Sequence, residues 1–457
     1  MNRIGPSPRL ARGVTLIELM VAMVLGLLVA GGIITLFLST SSSNRVQTQM
    51  ARMQEDGRFA IGQLTDDLSM ATGMYCNNTG GIASQSTSNL FLDGLRTPKV
   101  LSKDLLSGLF ENSTVWAQTS GTNTYPAKPT AAYPMPSFLF MRGYNCTGSK
   151  ACTPDPKTLL NGTADTVGTA VGNRVQGTDM LTVRYLDASR GWRLGSNNTA
   201  TNAADGTLKQ IDLKPAANEP PVTAFQSSMA LMADCSTAQI FNVTGSKTKT
   251  LKPDSANNFS APIGPQVQAP ARVFDFVNDM RNVTYYVQVV SDDGTATGAK
   301  TGALMRRVNG TTVSVPDQEL IRGVERLTFR YGVEDASGGV RFLTADQVDA
   351  ATGMTCPPTA TNLGTTDPGC LWRAVKMIEV SLLLASSTDM PNLTTPDTGF
   401  IYTPDSPAGS GTVAAATPVY PTSASSVLAI KPSAQGFGDK RLRRQFSALV
   451  MLRNYNP

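Results

Sequence analysis

The chain has 457 residues, 41% hydrophobic and only 16% charged, with a formal net charge of +5 and no histidine. The missing histidine removes Ser-His-Asp and Cys-His catalysis, histidine-ligated zinc and the commonest general base. The small positive excess is no nucleic-acid footprint, which needs a clustered basic face.

Three basic residues, Arg3, Arg9 and Arg12, precede a long apolar run, "VTLIELMVAMVLGLLVAGGIITLFL". Val14 to Leu38 holds 25 residues and a single charge, Glu18. At 1.5 Å per residue such a helix spans a bilayer core of roughly 30 Å. The basic leader predicts a cytoplasmic N-terminus. An ordinary secretory signal has a shorter apolar region, about 7–15 residues, and no acid at its start. In a plain anchor, a carboxylate near the centre of the span costs about 2.5–3.5 kcal/mol, less near the interface. Such acids usually have a partner and a function. Gly26, Gly31 and Gly32 fit either close helix approach or the ordinary glycine enrichment of membrane helices.

Beyond the run, Val46, Met50, Met53, Ile61, Leu64 and Leu68 form one apolar stripe at helical spacing. This predicts an amphipathic continuation of the helix over 39–73, packed on a sheet. Gly57 is its expected weak point and Gly73 its expected terminator.

From about residue 79 the texture changes to polar stretches rich in Gly, Pro and Thr, which read as long loops on a β-rich head, 74–457. Period-two runs then recur. Leu181, Val183 and Tyr185 share one face, as do Leu327, Phe329, Tyr331 and Val333, and Ile378, Val380, Leu382 and Leu384. "VTYYVQVV" and "RRQFSALVML" read alike. These predict half-buried antiparallel strands. Segments 193–222, 244–270 and 387–436 read as loops or insertions. The fold class is α+β, with no strand–helix alternation of the Rossmann or barrel kind.

The six cysteines, Cys76, Cys146, Cys152, Cys235, Cys356 and Cys370, behind a membrane segment favour disulfides in an oxidising compartment. Cys146 with Cys152 and Cys356 with Cys370 would each close a short loop, leaving Cys76 with Cys235. This is one of fifteen pairings. "GTATGAKT", Gly294 to Thr301, nearly matches a P-loop, but Ala299 stands where the second glycine is required, so an exposed turn is expected. Asp292 and Asp293 lack EF-hand spacing and read as part of that turn. Lys440, Arg441, Arg443 and Arg444 form a basic cluster, read as a solvated strand approach. No residues are nominated as catalytic, metal-binding or cofactor-binding, and an enzyme is not expected.

The stretch "RGVTLIELMVAMVLGLL" resembles the signal of type IV prepilins: a basic leader, a glycine, an apolar residue, then Glu five positions after the cut. The resemblance implies cleavage between Gly13 and Val14 by a prepilin peptidase, with leader 1–13 removed and Val14 N-methylated. Many members have Phe or Met at that terminus, so Val14 is a mild departure. It also implies that 14–38 serves first as a membrane span and then as filament core. Glu18 would pair there with the terminal amine of a neighbouring subunit and fix axial register. An unpaired buried charge would be strongly destabilising.

Further runs resemble the PilW family of minor pilins. They are "MQEDGRFAIGQLTDDLSMA", "LMADCSTAQIFNVT", "VTYYVQV", "ALMRRVNG", "LIRGVERLTFRYGV", "WRAVKMIEVSLLLAS" and "DKRLRRQFSALVMLRN". The resemblance covers both ends and much of the middle, and leaves out 80–170 and 387–436. It implies a pilin-like fold and a low-copy subunit that primes pilus polymerisation from the inner membrane and rides at the tip. The implied partners are other minor pilins, the major pilin, the inner-membrane platform protein, the prepilin peptidase and a PilY-type adhesin. A J-type pseudopilin of type II secretion shares the leader and the β-rich head but is usually much shorter. A membrane-tethered adhesin is the remaining alternative.

Overall fold

A computed structural model describes residues 15–75, 83–85, 90–92, 98–110, 116–117, 119–120, 123–125, 127–146, 151–156, 165–195, 197–234, 238–265, 271–295, 298–310, 317–334, 339–354, 356, 369–390, 393–394, 398–405 and 432–453. Two compact units divide the chain, Met1–Arg52 and Met53–Pro457.

From Leu16 onward the first unit is helix. α1 (Leu16–Ser69) starts there, and every side chain from Leu16 to Thr40 is exposed. An apolar helix with no buried face suits a hydrocarbon solvent rather than water. Two of its hydroxyls are satisfied internally: Thr35 donates to the Gly32 carbonyl and Thr40 to the Leu36 carbonyl, each at 2.8 Å. That removes the cost of an unpaired hydroxyl in an apolar medium. Among the described residues, nothing beyond the helix's own neighbouring backbone lies within 4 Å of where a Cβ at Gly26, Gly31 or Gly32 would stand.

In the second unit α1 continues to Ser69. It buries Met53, Gly57, Ala60, Leu64, Asp67 and Leu68, a three-and-four spacing that keeps one stripe on the core. The expected stripe is right from Met53 onward for Leu64 and Leu68, while Met50 is exposed and Ile61 only half-buried. Gly57 is not a weak point. The helix runs through it, and a Cβ there would stand 2.6 Å from the Phe446 ring. Gly62 on the same helix has nothing within 4 Å. Gly62→Ala should therefore stabilise by about 0.5–1 kcal/mol through helix propensity. Gly57→Ala should instead destabilise by about 1–3 kcal/mol through overpacking. Opposite shifts of the unfolding midpoint in the full chain check this. The helix ends before Gly73: Ala71 N–H bonds the Leu68 carbonyl at 3.0 Å, and Thr72 turns the chain with φ of 65°. The Thr72 N–H is held by the Arg184 carbonyl at 2.8 Å, which keeps a β-branched residue in the left-handed region.

Two antiparallel sheets follow. The first has β1 (Met141–Tyr144), β2 (Met180–Leu186), β3 (Met280–Ser291), β4 (Lys300–Val308) and β5 (Gln318–Arg322), in the order β5-β4-β3-β2-β1. The second has β6 (Val324–Glu334), β7 (Val340–Leu343), β8 (Val375–Ala385) and β9 (Arg443–Met451), in the order β7-β6-β8-β9. Every alternating run in the sequence is one of these strands. They are buried more fully than alternation predicts: β3 and β6 are buried on both faces along most of their length. The reason is cover on each side, since β6 lies against β2, β3 and β4 while α1 sits on Tyr185 and Tyr285.

Segments 193–222 and 244–270 are not simply loops. Thr199–Asn202, Leu208–Asp212 and Thr250–Pro253 are strands of a separate nine-stranded sheet. Its core includes Trp192, Phe225, Phe241 and Val273. Thr199–Asn202 has no buried face, so it carries no apolar alternation to read. Of the stretch Gly294–Thr301, Gly294, Thr295, Gly298 and Ala299 lie between β3 and β4, where Asp293 accepts from Thr295 N–H at 2.9 Å, while Lys300 and the buried Thr301 already belong to β4. Between Ser387 and Gln435, the described residues form only short irregular pieces.

Candidate functional site

Glu18 sits in the first turn of α1. The Thr15 backbone N–H and hydroxyl both donate to Glu18 Oε2 at 3.0 Å. The Glu18 N–H donates back to Thr15 Oγ1 at 3.3 Å. This reciprocal pair is a capping box, which satisfies donors that a helix start otherwise leaves bare. The acid thus also faces the positive end of the helix dipole. The carboxylate has partners inside its own chain before any neighbour arrives. Thr15 was not singled out from the sequence, although its Thr-x-x-Glu spacing is the capping-box signal. Gly13, Val14 and the leader 1–13 lie outside the described residues.

In the second unit, a buried acid on α1 ties helix to sheet. Asp67 is 7% exposed. Its carboxylate accepts from Tyr185 on β2 at 2.8 Å, Tyr285 on β3 at 2.5 Å, and Arg306 on β4 at 2.7 and 3.1 Å. Three adjacent strands thereby fix one helical residue. Burial pushes the Asp67 carboxyl up, but the hydrogen bonds from Arg306, Tyr285 and Tyr185 outweigh it and hold it below the usual carboxylate range. Asp67 stood beside Asp66 in a polar stretch and carried no local mark.

The basic cluster at 440–444 is not a solvated approach. Only Lys440 and Arg444 are exposed. Arg441 pairs with Asp389 at 2.7 Å. Arg443 pairs with Glu325 of β6 through Nε–Oε2 at 2.7 Å and Nη2–Oε1 at 3.1 Å, both side chains fully buried. Its other N–H groups donate to the Gly438, Asp439 and Arg441 carbonyls. All five guanidinium donors are used. The physical reason is long-range: a charge run looks solvated when its acids lie far away in sequence.

The structure bonds Cys146 to Cys152, with Cα atoms 4.1 Å apart, and Cys356 to Cys370, at 5.6 Å. Cys76 and Cys235 lie outside the described residues. Among the described residues no cluster of three or more His, Cys, Asp or Glu has the makings of a metal site.

The comparisons follow this division. Residues 8–34 match the prokaryotic N-terminal methylation motif. A methylation motif running into a long, exposed, apolar helix defines a prepilin-like chain. Its β-rich C-terminal part, residues 284–454, matches the family described as Type IV Pilus-assembly protein W. That span covers β3 through β9 almost entirely. Among solved structures, a type IV-like pilin, TTHA1219 from Thermus thermophilus, is similar at 15% identity over 39% of this chain and 68% of that one, with a TM-score of 0.14. At that score it adds nothing to the α+β assignment, which rests on the helix and sheets themselves. No curated protein sequence matches the chain.

Proposed function

We propose that the chain is a minor subunit of a type IV pilus, which primes polymerisation from the inner membrane and then sits at the pilus tip. The observation that supports this reading is the methylation motif laid over the exposed apolar start of α1, with Glu18 as its only acid. On this reading a prepilin peptidase cuts after Gly13, Val14 becomes an N-methylated terminus, and residues 14–38 leave the bilayer for the filament core. The N-terminus is cytoplasmic before the cut. The partners are other minor pilins, the major pilin, the platform protein and a PilY-type adhesin.

Mass spectrometry of the mature N-terminus is the direct test. N-methyl-Val14 is expected. Intact Met1, or a cut elsewhere, would sink the reading. A deletion strain separates pilus from secretion roles: lost pili with normal secretion is expected, and the reverse would place the chain in a secretion system.

Glu18 gives a second expected outcome. Glu18→Ala should leave cleavage intact yet lower incorporation into pili at least about 100-fold, because an amine left unpaired in an apolar core costs about 3 kcal/mol or more. Glu18→Gln keeps an oxygen to cap Thr15 but removes the charge. If it assembles normally in a pilus-recovery assay, the acid serves only the cap.

A further inference from the structure

The four-stranded sheet stops at β9. Among the described residues β9 pairs only with β8. The other ends of the two antiparallel sheets are blunted in familiar ways. β1 and β7 have four residues each. β5 has five and meets β4 across a register shift. β9 has nine residues in unbroken register, from Met377↔Met451 to Ala385↔Arg443. It contains no proline and no lysine. Folded proteins usually shorten, bulge or charge a free edge, because an open one pairs with other chains.

The phase of the ladder shows which groups are open. Leu452 N–H bonds the Lys376 carbonyl at 3.0 Å, and Ser386 N–H bonds the Leu442 carbonyl at 2.8 Å. Even-numbered residues of β9 therefore face β8. The N–H and C=O groups of Ser447, Leu449 and Met451 point away from the sheet. Their side chains are exposed too, Leu449 by 54% and Met451 by 52%. Met451 continues an apolar row across the sheet, paired with Met377, which lies over Gly332 beside Phe342. Both ends of this edge are occupied: Thr403 N–H donates to Gln445 Oε1 at 2.8 Å, and the next outward N–H past Met451, that of Arg453, donates to the Ser69 carbonyl of α1 at 2.9 Å, which leaves 447–451 between them.

We infer that residues 447–451 of β9 form a docking edge for an extended segment of a different polypeptide, which adds a strand to this sheet. Backbone hydrogen bonds supply the attachment and side-chain pairing the choice of partner. The fitting segment has apolar residues beside Leu449 and Met451 and an acid within reach of the exposed Arg444. A second copy of this chain fits poorly. Antiparallel pairing of β9 with itself about Ser447 would set Leu449 against Gln445 and Met451 against Arg443, apolar against polar, and pairing about Leu449 would set Met451 against Ser447 and Gln445 against Arg453, whose N–H already holds the Ser69 carbonyl.

Selection of a random nine-residue peptide library, displayed on phage, against the full chain in detergent tests this. Enriched peptides should alternate apolar and polar residues. They should slow amide exchange at Ser447, Leu449 and Met451, whose even-numbered neighbours are already protected. Ser447→Pro removes an outward N–H and no bond to β8, so it should weaken peptide binding at least tenfold. Leu449→Lys, at an exposed side chain, should do the same without touching the backbone. The inference is overturned by no enrichment, by binding that both variants leave unchanged, or by protection of those amides that rises with protein concentration alone.

Discussion

Glu325→Ala is expected to destabilise the head by about 3–5 kcal/mol, because it leaves the Arg443 guanidinium buried without its counter-charge. Both side chains are fully buried, and three backbone carbonyls besides the Glu325 carboxylate accept from that guanidinium. The fold cannot relax by exposing it without moving β9. Arg443→Lys should also be costly, since one ammonium cannot replace five planar donors. The double variant Glu325→Leu/Arg443→Met should recover most of the loss, because removing both charges also removes their desolvation cost. Denaturant unfolding of the full chain, compared across the cycle, reads this out. A single-variant loss below about 1 kcal/mol would show that water or another cation reaches the site.

The second large effect lies on α1. Asp67→Ala strands Arg306 and the hydroxyls of Tyr185 and Tyr285 at the helix–sheet seam. Leaving buried donors unpaired costs about 1–3 kcal/mol for each group, more where one is charged, and Arg306 is 21% exposed, which moderates its share. Asp67→Asn keeps the shape and isolates the charge. Its effect should depend on pH. The folded carboxyl of Asp67 is held below the ordinary value, so it contributes stability above roughly pH 4 and loses it as pH falls through the folded value. The gap in unfolding midpoint between wild type and Asp67→Asn should thus be widest near neutrality and close in acid. A gap that is flat from pH 7 to pH 3 would contradict the assignment.

These sites show where sequence reading reaches and where it stops. Leu327, Phe329, Tyr331 and Val333 announce β6 because burial and strand period act on neighbours in the sequence. Glu18 stands out because it is a single acid in a long apolar run. Asp67 and Arg443 do not stand out. Their partners lie 118 to 239 residues away, and each sits beside another residue of its own charge. The Thr-rich strand Thr199–Asn202 is hidden for the opposite reason: it buries nothing, so no periodicity forms.

The contact between Gly57 and Phe446 carries a consequence in time. The two residues are separated by nearly the whole length of the chain. At about 5–20 residues per second, synthesis needs roughly 20–80 s to reach the second after the first. Arg453, whose N–H closes on the Ser69 carbonyl at 2.9 Å, arrives later still. Throughout that interval α1 has been made but its seat on β9 has not. The helix can enter a membrane early and Asp67 can meet β2, β3 and β4 once Arg306 is made, whereas the contact with β9 closes last.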